Sequence, residues 1–169
     1  MKSSTVSIID MRVKFFWLAL LSALMIFEAG SAFAGEETIT KSKAPDAVLI
    51  VSISNVEPGV GFSRFSILGV DIPRAVSLKQ KQLLGILWST TYYPGILNDT
   101  VELCYYRPYS SERSCVPIQP NSSGEVMYFN DQPFDRGSVV EIRHHVLGGE
   151  RPYARPAGID SVTFRYRYQ

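Results

Sequence analysis

Ser161-Val162-Thr163-Phe164-Arg165-Tyr166-Arg167-Tyr168 decides the fold class. Val162, Phe164, Tyr166 and Tyr168 alternate with Ser161, Thr163, Arg165 and Arg167. That period of two puts an apolar-aromatic face on a core and a polar face in solvent, the pattern of a half-buried strand. Upstream, β-rich runs recur at Ala47–Ser54, Phe62–Val70, Leu83–Tyr93, Thr100–Tyr106, Ser114–Ile118, Glu125–Phe129 and Ser138–Val146. Turn residues separate them: Glu57-Pro58-Gly59, Pro94-Gly95, Asn121-Ser122-Ser123-Gly124 and Gly148-Gly149. The expectation is an all-β protein, an antiparallel β-sandwich (immunoglobulin-like or related) of seven to eight strands. At most one short helix is expected, around Ala75–Gln82.

The N-terminus carries a different signal. Lys2, Arg12 and Lys14 precede the apolar run Phe15–Phe27, and Ser31-Ala32-Phe33-Ala34 supplies small residues before a cut. Residues 1–34 therefore read as a secretory signal peptide. A retained anchor is the alternative, but the 13 apolar residues reach only about 20 Å as a helix, short of a hydrocarbon core of about 30 Å. Cleavage leaves 135 of the 169 residues, with 14 basic and 14 acidic side chains. A chain with no charge excess is a poor match for nucleic acid. No second membrane span is expected after cleavage. Residues 35–46, which include GEETITKSKAP, are polar and read as a flexible leader, so the sandwich is expected over 47–169. The predicted location is exported: periplasmic, cell surface or secreted.

Cys104 and Cys115 are the two cysteines. They fall on consecutive expected strands, so a hairpin disulfide is the natural pairing in an oxidising compartment. Neither a C-x-x-C redox spacing nor a histidine lies near them, so no metal site is expected there.

Little else suggests catalysis. His144 and His145 are adjacent in an expected strand and point to opposite faces, so they do not chelate one ion together. His144 shares parity with Val140, Ile142 and Val146, which reads as a hydrogen-bonded core or interface histidine. His145 shares parity with Glu141 and Arg143, which reads as exposed. Carboxylates are scattered and no G-x-S-x-G nucleophile turn occurs. No catalytic residue, metal or cofactor is expected. The rival reading from another class is a secreted hydrolase with His144 or His145 as acid/base.

The arginine and tyrosine pattern points to recognition. All nine tyrosines lie after residue 34, and every basic residue after Lys81 is arginine. Arg107-Pro108-Tyr109 and Arg151-Pro152-Tyr153 repeat one triplet in two expected loops, and Arg155-Pro156 follows the second. These side chains combine large contact area with hydrogen-bonding tips. Arg107, Tyr109, Arg151, Tyr153 and Arg155 are therefore the candidate binding residues.

The alternating strand that ends at Gln169, with tyrosine next to last, resembles the terminal strand of bacterial chaperone–usher fimbrial (pilin) subunits. The resemblance implies a cell-adhesion fimbrium subunit, with Val162, Phe164, Tyr166 and Tyr168 contacting a chaperone or a neighbouring subunit. It also makes Gly35–Pro45 a candidate donor arm and self-association by strand addition a route to assembly. The sequence thus leads to an exported, non-catalytic sandwich that works by binding a protein partner or surface ligand, or by assembly. A self-sufficient binding module using its Arg/Tyr loops is the alternative within that class.

Overall fold

The computed structural model describes residues 35–51 and 55–169. The signal-peptide segment 1–34 and the end of the expected strand Ala47–Ser54 lie outside the described residues. Among the described residues ten strands follow one another: β1 (Gly35–Lys43), β2 (Val48–Leu49), β3 (Gly59–Ser66), β4 (Lys81–Ser89) and β5 (Asn98–Tyr106), then β6 (Arg113–Ile118), β7 (Ser123–Val126), β8 (Val139–Leu147), β9 (Tyr153–Ala154) and β10 (Asp160–Tyr168). One four-stranded sheet has the order β1-β10-β4-β7 and the other β3-β8-β5-β6, while β2 and β9 form a small ribbon. The strand pairs are antiparallel. This is the expected all-β sandwich.

Alternation builds the core. Leu83, Ile86, Val162, Phe164 and Tyr166 come from the first sheet, and Phe65, Leu103, Val140 and Ile142 from the second. Phe134, from the loop between β7 and β8, fills the space between them and stacks on Tyr166 with ring centroids 4.7 Å apart. A second cluster (Val48, Ile50, Tyr93, Val146 and Ala154) lies under the β2–β9 ribbon. Within the described part of the run 47–54, Val48 and Ile50 are buried while Leu49 and Val51 are exposed, as period two requires.

Two local expectations are corrected. The polar leader is a nine-residue edge strand, β1, paired with β10 along its whole length from Gly35↔Tyr168 to Lys43↔Asp160. Ile39 is its one buried side chain. The ladder is made by backbone groups, which any polar sequence carries, so composition could not reveal it. The short helix around Ala75–Gln82 is also absent. Residues 67–80 instead form a crossover with two 3-10 turns, Gly69–Asp71 and Arg74–Val76, and β4 already begins at Lys81. Lys81 turns its ammonium inward, donating to the carbonyls of Ser77 at 3.0 Å and Lys79 at 2.8 Å. Asp135 lies 3.4 Å from the same nitrogen. The turn carbonyls that a helix would have used are thus partly satisfied by a buried lysine.

β10 lies between β1 and β4, paired on both sides within one chain. Val162, Phe164 and Tyr166 point into this chain's own core, and Tyr168 packs partly buried against it. The side chains expected to contact a partner are therefore contacts of the domain itself.

Candidate ligand-binding site

A buried polar cluster sits between the sheets near the start of β10. Asp160 Oδ2 accepts from Ser63 Oγ at 2.5 Å, and Asp160 Oδ1 accepts from the Thr91 backbone N–H at 2.9 Å. His144 Nε2 lies 3.3 Å from Asp160, and its Nδ1 lies 3.1 Å from Asp99. Burial pulls the His144 pKa down, but hydrogen bonds and charge from Asp160 and Asp99 outweigh it and raise the pKa to about 9. His144 is therefore an imidazolium at neutral pH. Tyr93 meets this ring edge-on with centroids 5.4 Å apart. Its hydroxyl donates to the Asp46 carbonyl across Gly61, where a Cβ would collide with that hydroxyl. Desolvation, then the charges of Asp160, Asp99 and Asp46, pushes the Tyr93 phenol well above its ordinary pKa.

The side chains of this cluster are closed off from solvent. His144, Ser63 and Asp160 are fully buried, and both imidazole nitrogens face carboxylates. The cluster ties β3, β5 and β8 of one sheet to β10 of the other. His145 is half-buried on the outer face of its sheet, 3.4 Å from Glu102. The two histidines thus take the opposite faces that their parity requires.

The cysteines are bonded, Cys104 to Cys115, between directly opposed positions of β5 and β6. This bond fits export to an oxidising compartment. Glu102 lies close to both sulfurs, but sulfurs bonded to each other are not thiolate ligands.

The five candidate recognition residues divide between the two ends of the sandwich. Arg107 and Tyr109 lie in the β5–β6 hairpin, whereas Arg151 precedes β9, which begins at Tyr153, and Arg155 follows β9. In the β5–β8 ladder Tyr106 pairs with Val139 and Asn98 with Leu147, so the two loops sit at opposite ends of nine-residue strands. That separation is on the order of 30 Å. They do not form one surface.

The hairpin end holds an open cleft of about 700 Å³, lined by Tyr105, Arg107, Glu112, Arg113, Tyr128 and Gln132, with Ser114 and Phe129 beside them. Arg107 pairs with Glu112 at 2.9 Å, and both are largely exposed. The Tyr106 ring lies 5.4 Å from the Arg64 guanidinium, and the Tyr106 hydroxyl, facing Arg113 as an acceptor, holds that guanidinium's pKa above its ordinary value. Tyr128 is 72% exposed and rests edge-on against buried Phe129, with centroids 5.3 Å apart. Tyr109 does not line the cleft. Its φ of 58° turns it toward Arg136, whose Nε donates to the Tyr109 hydroxyl at 2.7 Å.

The sequence singled out Arg107 and missed Glu112, Arg113, Tyr128 and Gln132. Arg113 belongs to the same hairpin and was within reach of a local reading. Tyr128 and Gln132 come from the loop after β7, and only the packing of the two sheets brings them to the hairpin.

No family model matches this chain, and no curated protein sequence matches it. Among solved structures it is similar to the crystal structure of FlhE, with a TM-score of 0.52 and 18% identity over 79% of this chain and 98% of that one. The likeness is one of fold. The TcaA–TcaB structure from Yersinia pseudotuberculosis has a TM-score of 0.43 and 10% identity, covering 91% of this chain and 11% of that one. A module named TmCBM61, solved with β-1,4-galactotriose, has a TM-score of 0.29 and 11% identity over 81% of this chain and 89% of that one. Likeness at those last two levels carries no argument about ligand or activity. No helix among the described residues is long and apolar enough to cross a membrane.

Proposed function

We propose that the protein is an exported, non-catalytic binding module that holds its ligand in the cleft at the hairpin end. The convergence of Arg107, Arg113 and the exposed ring of Tyr128 on one open cleft carries this reading. The tyrosine ring offers contact area with little conformational freedom to lose, and the guanidinium groups offer charged donors in a fixed fork. The Arg107–Glu112 pair is exposed, and such pairs contribute only about 0–1 kcal/mol, so a ligand can displace Glu112 at little cost. An array of surface polysaccharides and peptides, probed with wild type, Arg107→Ala, Tyr128→Ala and Arg151→Ala, tests the assignment. Loss of signal in the first two variants with retention in the third supports the hairpin end. Loss only in Arg151→Ala moves the site to the other end.

Assembly by strand addition, as in a fimbrial subunit, is a second reading. It is favoured by one observation: β1 covers the edge of β10 while burying only Ile39. A strand from a neighbouring copy would take the place of β1 beside β10.

A further inference from the structure

We infer that the ligand of the hairpin-end cleft is an acidic carbohydrate, a chain of sugars carrying carboxylates. The inference rests on the cleft being the binding site. Three features of the cleft specify this chemistry. Its charge comes first: the lining carries two guanidinium groups, Arg107 and Arg113, against the single carboxylate of Glu112. The other acids whose charge reaches Arg113, Glu102 and Glu141, are already paired with Arg143 at 3.2 Å and 3.1 Å. The planar guanidinium fork suits a carboxylate ligand, and a ligand carboxylate would take the place of Glu112 on Arg107.

The second feature is the Tyr128 ring. It is exposed and braced from one side by Phe129. A pyranose has an apolar C–H face that a braced aromatic ring can cover, while Gln132 and Ser114 offer hydrogen bonds to its hydroxyls. The third is the strand edge beside the cleft. β6 is an edge strand whose Arg113 and Ser114 line the cleft, and Pro117, three residues further along and outside the lining, removes one backbone donor from that edge. A peptide adding to that edge would find a broken ladder, so recognition through side chains favours the sugar over an acidic peptide.

The test titrates the exported protein with oligogalacturonate and reads backbone amide shifts and affinity, with the methyl-esterified neutral oligomer and poly-glutamate as comparison probes. The expected result is perturbation centred on residues 105–114 and 128–132, with at least tenfold weaker binding of the ester and of poly-glutamate. Arg113→Ala and Tyr128→Ala should each weaken oligogalacturonate tenfold or more, and Tyr128→Phe should retain it because the ring face remains. Added salt should weaken the acid but not the ester. Equal binding of the ester overturns the requirement for acid, and tighter binding of poly-glutamate overturns the carbohydrate. In both cases the cleft stands if the same amides move. Perturbation elsewhere, or by none of the probes, overturns both this inference and the assignment of the cleft.

Discussion

The carboxylate of Asp160, the first residue of β10, lies 2.5 Å from the Ser63 hydroxyl on β3, so a hydrogen bond spans the two sheets in the interior. Asp160 also receives the Thr91 N–H and faces the His144 imidazolium. Each polar group so buried needs its partners, and removing one leaves the rest exposed to the full cost of desolvation.

Asp160→Asn should therefore be among the most damaging single substitutions. It removes a charge from beside a buried cation, a change that costs about 3–5 kcal/mol. Ser63→Ala removes only a neutral donor and should cost about 1–2 kcal/mol. Urea unfolding of both variants gives this order, and equal losses would show that the imidazolium adds nothing to the clamp.

Stability should fall on the alkaline side. The His144 pKa stands at about 9 in the folded chain, above the ordinary imidazole value of about 6.5. Its contribution is thus complete below pH 6.5 and is lost as pH rises through about 9. Denaturant melts at steps between those limits should show a decline that His144→Gln abolishes. An unchanged slope in that variant would assign the decline to another group.

The disulfide should contribute about 3 kcal/mol by closing the hairpin loop. Cys104→Ser with Cys115→Ser should lower the unfolding midpoint and leave the core intact, because the bond joins neighbouring strands of one sheet. Loss of the folded state altogether would mean that the two sheets cannot hold each other without it.

Much of this architecture was legible in the chain. The alternation of Ser161–Tyr168 and the opposite faces of His144 and His145 follow from a period of two, and the pairing of Cys104 with Cys115 from their place on consecutive strands. β1 was illegible because its attachment is by backbone, with Ile39 as its single apolar anchor. The crossover 67–80 misled for the opposite reason. Around Ala75–Gln82, where a short helix was expected, only Val76 packs inward from the 3-10 turns, while the leucines after Lys81 belong to β4, in keeping with the β-rich run Leu83–Tyr93. Of the cleft, Arg107 was visible as part of a repeated triplet. Its companions Tyr128 and Gln132 meet it only through tertiary packing, and the matching triplet at Arg151 lies at the far end.

Ile39 tests how firmly β1 is held. Ile39→Ala should cost about 2 kcal/mol and raise amide exchange in β1 and along the β1-facing side of β10. Exchange unchanged in both strands would show that the ladder alone suffices.

One chain supplies the strands of both sheets, which under the proposed function leaves the hairpin end to the ligand. Light scattering on the exported protein at increasing concentration, with a denaturant melt beside it, tests this most directly. A monomer at every concentration with a single cooperative transition is expected. Oligomers that a peptide of sequence GEETITKSK dissolves would contradict it, because they would show that β1 belongs to a neighbour and that assembly is the function.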